Sequence, residues 1–66
     1  MKVKNGYVAI TSNSTFFYIP PVEGQPKVDK VEGQIKAAIQ QVAPCTIVLI
    51  RPAWAYEIEA YQTVSI

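Results

Sequence analysis

Two short, mostly apolar stretches near the start of the chain, Tyr7 to Thr11 and Thr15 to Ile19, are rich in aromatic and β-branched residues and are separated by polar positions. Such residues suit a pleated surface, so both stretches predict strands. Ser12-Asn13-Ser14 predicts the turn between them, and Pro20-Pro21 stops the second. Asn5-Gly6, a pair that accepts positive φ at both positions, precedes the first strand. Residues 1–11 therefore read either as a hairpin or as one longer strand bulged at Gly6. In the second strand, alternation sends Phe16 and Tyr18 to one face and Phe17 and Ile19 to the other, so both faces carry aromatic surface.

After a loop-like connection at 20–27 the period changes. Val28, Val31, Ile35, Ala38, Ile39 and Val42 form one apolar stripe at helical spacing, with Lys30, Gln34, Lys36, Gln40 and Gln41 around it. This predicts a single amphipathic helix. Asp29 and Glu32 fit a capping box at its start, with Pro26 at a first helical position as the competing start. Glu32 and Lys36 stand four apart as a surface pair. Pro44 ends the helix by driving Ala43 out of the α region. Gly33 either permits a close backbone approach or sits in a tolerant first turn. VEGQ occurs at 22–25 and again at 31–34, a period too short for a solenoid unit and read as chance or local duplication.

Thr46 to Ile50 is a continuous apolar run between Pro44 and Pro52, which predicts a strand buried on both faces and central in the sheet. Downstream, Tyr56, Ile58, Ala60, Val64 and Ile66 alternate with Glu57, Glu59, Tyr61, Thr63 and Ser65, and Gln62 interrupts the apolar row. That pattern predicts a last strand with a wet, acidic outer face. The expected fold is one α+β domain over 1–66 in the order β-β-α-β-β, with a four-stranded, mainly antiparallel sheet and the helix on one face. One helix covers only one face. The second face, or the edge of the terminal strand, is accordingly expected to serve self-association as a homodimer or higher oligomer.

Size strengthens that expectation, because 66 residues lie near the lower limit for a core without staples. One cysteine cannot form an internal disulfide, and without histidine no ordinary zinc site can be assembled, so no metal or cofactor is expected. Six basic and five acidic residues leave a net charge of +1, which gives no broad field for nucleic acid or anionic lipid. Apolar runs fall far short of the roughly 20 residues of a spanning helix, and nothing resembles a signal peptide. A cytoplasmic protein without a membrane partner is expected, and the lone thiol suits a reducing compartment.

Enzymatic signals are sparse. Cys45 has no histidine to serve as base and reads as a small buried hydrophobe. Glu57 and Glu59, about 7 Å apart on one strand face, lie within the range of paired catalytic carboxylates. Read more simply, they charge an edge against aggregation. What remains is Arg51-Pro52-Ala53-Trp54-Ala55-Tyr56, the turn between the last two strands. Trp54, flanked by alanines, either projects as an anchor or folds back over the core. Projecting, it would join Arg51 and Tyr56 in the composition that protein-binding hot spots favour. With Phe17, Tyr18 and Tyr61 the same residues could stack nucleobases, or line a planar-ligand pocket at a subunit interface. The expected binding residues are Arg51, Trp54, Tyr56, Phe17 and Tyr61. Because the lysines are interleaved with acids, the sequence favours a small non-catalytic module (regulatory, inhibitory or accessory) that binds another protein. Single-stranded nucleic acid or a nucleotide is the alternative ligand.

Overall fold

The computed structural model describes residues 5–24 and 26–66. Strands β1 (Tyr7–Thr11) and β2 (Phe16–Ile19) are followed by helix α1 (Val28–Val42), strand β3 (Ile47–Pro52), a 3₁₀ helix (Ala55–Glu59) and the two-residue strand β4 (Gln62–Thr63). The α+β class and the single amphipathic helix agree with the sequence pattern. The proposed hairpin or bulge within the first eleven residues involves positions 1–4, which lie outside the described residues.

β1 and β2 form an antiparallel hairpin closed by the polar turn that the sequence predicts. Thr11 N–H donates to the Thr15 carbonyl at 2.9 Å, and Ser14 N–H donates to the Thr11 carbonyl at 3.1 Å. Ser14 takes φ 66°, the left-handed position that three-residue hairpin loops require. Its cost is offset in part by the Thr11 hydroxyl, which accepts from Thr15 N–H at 3.1 Å.

The strand order across the sheet is β3-β1-β2-β4. β1 pairs antiparallel with both of its neighbours, whereas β4 pairs parallel with β2. Three strands thus run one way and β1 runs against them, so the sheet is mixed and open. The apolar β3 is an edge strand, not the central one its composition predicts. Hydrophobicity alone does not distinguish the two positions. β1 has small Ala9 between Tyr7 and Ile10 and is covered on both faces, while Val48 and Leu49 of β3 are 63% and 49% exposed.

On one face, Val31, Ile35 and Ile39 of α1 pack on Tyr7, Ala9, Phe17, Ile19, Ile50 and Val64. Half-buried Cys45 joins the margin of this core. Val42, included in the predicted stripe, is exposed beyond it. The expected capping box is not formed: Lys27 is the N-cap, no side chain caps the helix, and Asp29 already lies in the first turn. There its charge still complements the amino-terminal dipole. Ala43 is extended, as the following proline dictates, and its N–H donates to the Ile39 carbonyl at 2.8 Å. Gly33 has open space around its Cβ position, so no close backbone approach explains it.

The other face is covered by the chain itself. After β3, residues 53–61 cross from one edge of the sheet to the other, and Ala53 and Tyr61 pack with Val8, Ile10, Phe16 and Tyr18. This accounts for the aromatic residues on both sides of β2: Phe17 and Ile19 meet the helix, Phe16 and Tyr18 meet the crossover. It also overturns the expectation that one whole face is left for a partner. The chain's surface of 4221 Å² is close to the ~4,200 Å² that area scaling gives a compact monomer of this mass.

The crossover replaces most of the predicted final strand, of which only Gln62–Thr63 is extended. Its entry is fixed by Ala53 N–H donating to the Gly6 carbonyl at 2.9 Å, and its exit by Val64 N–H donating to the Tyr18 carbonyl at 2.8 Å. Gly6 has φ 90°, and a Cβ there would lie 2.2 Å from the Ile19 carbonyl oxygen. Only glycine fits this seat. Among the described residues no helix is long and apolar enough to cross a membrane.

Candidate functional site

The crossover organises the one constellation that the sequence singles out. From Trp54 the backbone winds into a 3₁₀ turn, with Glu57 N–H donating to the Trp54 carbonyl at 2.9 Å and Ala60 N–H to the Glu57 carbonyl at 3.2 Å. The alternation expected over 56–60 is not kept in this turn, where Glu57 alone is buried. Glu57 points inward and is fully buried, while Tyr56 and Ile58 on either side of it are exposed. The reading of Glu57 and Glu59 as a solvated acidic pair is therefore corrected. Glu59 alone is exposed.

A buried carboxylate is stable only if its lone pairs are matched. Arg51 Nη1 donates to Glu57 Oε1 at 2.8 Å and Arg51 Nη2 to Oε2 at 2.7 Å, a bidentate pair. Trp54 N–H donates to Oε1 at 2.9 Å, and the Tyr61 hydroxyl to Oε2 at 3.2 Å. Arg51 is placed for this by β3, whose register sets it opposite Val8. Its Nη1 also donates to the Pro52 carbonyl at 3.2 Å. Among the described residues no buried side-chain polar atom lacks a partner. The Arg51 hydrogen bonds, with the Trp54 amide, the arginine charge and the Tyr61 hydroxyl behind them, outweigh burial and hold the Glu57 carboxyl down to about 2. In return the guanidinium is raised, first by its bond to Glu57. Burial, then Glu57, pushes the Tyr61 hydroxyl up.

Above this pair lies the aromatic surface. The Arg51 guanidinium carbon is 5.1 Å from the Trp54 ring centroid, a cation–π stack. Trp54 and Tyr56 have ring centroids 5.7 Å apart at an interplanar angle of 50° and are 60% and 66% exposed. Trp54 thus projects; it does not fold back into the core. Tyr61 is half-buried and packs on Phe16 at 5.0 Å. The structure brings together four of the five expected residues, Arg51, Trp54, Tyr56 and Tyr61. Phe17 is buried beneath the helix on the opposite face. Sequence reasoning missed Glu57 as the hub. The available signal was a glutamate three residues after Trp54 and six after the chain's single arginine.

The arrangement fixes two aromatic rings on a neutralised ion pair. No group of acidic, histidine or cysteine side chains that could hold a metal occurs among the described residues. A separate shallow cleft of about 350 Å³ lies on the helix side, between 20–23, Gln34 and Ser65–Ile66. It holds no ion pair and none of the aromatic residues above. No protein-family model matches this chain, and no curated protein or solved structure matches it either.

Proposed function

We propose that this protein is a small non-catalytic binding module that engages another protein through Trp54 and Tyr56, and that it works as a homo-oligomer. One observation carries the reading: two large aromatic side chains are exposed on a segment whose backbone is fastened from below by a buried carboxylate. Aromatic residues and arginine dominate protein-binding hot spots. A surface that is already rigid loses little conformational entropy when it docks. Arg51 here supports the rings more than it offers charge, because Glu57 occupies both arms of its fork. This favours a protein partner over a nucleic-acid strand, which needs free cations for phosphate.

The test is affinity capture from the native host with wild type, Trp54→Ala and Tyr56→Ala as baits. Retention of a protein by the wild type, its loss with either variant, and little change from about 0.05 to about 0.5 M salt are expected. Capture indifferent to both variants would refute the reading. Binding of nucleic acid that falls steeply over the same salt range would replace it with the alternative ligand.

A further inference from the structure

We propose that the free edge of β3 is a seam on which a second copy of this chain docks antiparallel, about a two-fold axis at Leu49. This rests on the homo-oligomeric part of the reading above and assigns it a site separate from Trp54. The bond from Ala53 N–H to the Gly6 carbonyl fixes the phase of the β1–β3 ladder. With Val8 opposite Arg51 and Ile10 opposite Leu49, antiparallel alternation turns the main-chain groups of Leu49 and Arg51 towards β1. Ile50 therefore directs both its N–H and its carbonyl away from the sheet. The Val48 carbonyl, opposed to the Leu49 N–H across a planar peptide, points the same way. Pro52 also stands at an outward position, where its missing N–H costs the sheet nothing.

Two features limit where a strand can add. The register shift between Ile10 and Thr11, where β3 carries an extra residue, ends the regular edge on one side, and Pro52 ends it on the other. Between them lie Val48, Leu49 and Ile50, and this segment is complementary to its own antiparallel copy. With the axis at Leu49, each Ile50 N–H donates to the partner's Val48 carbonyl. Leu49 then faces the partner's Leu49 as a non-hydrogen-bonded pair, the closer of the two antiparallel spacings at about 4.5 Å between Cα atoms. The exposed Val48 and Leu49 side chains leave water together.

Charge points to the same occupant. No charged residue lies between Lys36 and Arg51, so two copies of this edge meet without like charges in apposition. The guards of this strand, a bulge before Leu49, the inward charge of Arg51 and Pro52, lie at its two ends, and Val48, Leu49 and Ile50 between them carry no lysine or other charge. Three residues a side bury far less than the ~800 Å² per partner of a standard interface, which makes the dimer reversible.

Sedimentation of the whole chain over concentrations up to about 1 mM should show a monomer–dimer equilibrium. Leu49→Lys, at an exposed position, should abolish the dimer while the unfolding curve and circular dichroism stay those of the wild type. In a Cys45→Ser background, mild oxidation of Leu49→Cys should yield a covalent dimer, since such a pair lies within disulfide span. Trp54→Ala should dimerise normally, so failure of the seam and failure of the Trp54 surface are read separately. A wild type sedimenting at 7.3 kDa throughout, a dimer indifferent to Leu49→Lys, or cross-linking through Val48→Cys but not Leu49→Cys would overturn the proposal.

Discussion

Arg51 and Glu57 meet as a bidentate pair in which the carboxylate is wholly buried and the guanidinium about one-quarter exposed, its side chain 27% accessible. Removing one partner of a buried pair strands the other, typically at a cost of 3–5 kcal/mol. Because Arg51 keeps some contact with water, Glu57→Gln should lie at the low end, about 3 kcal/mol. Urea unfolding of both proteins at neutral pH measures it.

The same pair sets an acid limit on stability. Glu57 is depressed from 4.5 to about 2 in the folded chain, so its contribution is fully present above the unfolded value and is lost as pH falls towards the folded one. Wild-type stability should decline between about pH 4.5 and pH 2. The Glu57→Gln variant should show a shallower decline there. Equal slopes would mean that the carboxylate is not held as its geometry requires.

Trp54 stacks on that guanidinium yet faces solvent. Trp54→Ala should change stability by no more than ~1 kcal/mol, the worth of an exposed cation–π contact and some surface packing. A loss of ~3 kcal/mol or more, as for a core aromatic, would show the indole to be buried in solution. Iodide quenching of its fluorescence gives an independent reading.

Two glycines should respond in opposite directions. Gly6→Ala forces a Cβ against the Ile19 carbonyl at positive φ and should cost at least ~2 kcal/mol. Gly33→Ala adds a methyl group to open space on α1 and should stabilise by up to about 1 kcal/mol. Thermal unfolding of the two variants decides both.

Two buried tyrosines tie loops to the sheet. The Tyr7 hydroxyl donates to the Pro26 carbonyl and the Tyr18 hydroxyl to the Asn5 carbonyl, each at 2.8 Å. Burial raises both hydroxyls above the ordinary tyrosine value. Tyr7→Phe and Tyr18→Phe should each cost about 1 kcal/mol, measured by chemical denaturation.

What the sequence conveyed and what it concealed divide along local and non-local causes. The β1–β2 hairpin, the stripe of Val31, Ile35 and Ile39 and the stop at Pro44 are written in short-range pattern. The edge position of β3 is not, because it depends on the last strand pairing with β2 at the far side of the sheet and not with β3. Residues 56–60 misled for a different reason. Their alternation suits a strand, but Glu57 is drawn inward by Arg51 and Tyr61, and no hydropathy pattern anticipates a buried charge whose counterion lies on another element. Arg51, Trp54 and Tyr56 were recognisable as a group by composition. Their assembly over Glu57 was not.

The brevity of β4 has a dynamic consequence. Two residues of parallel ladder, together with Val64, latch the far end of the strap that shelters Val8 and Tyr18. A latch so short releases well before the hairpin or the helix gives way, and segments of this kind open at the low-energy end of a protein's local unfolding spectrum. Amide exchange should therefore be faster at Val64 than at Ala9. Each brief release would bare a greasy patch that the resting molecule keeps dry.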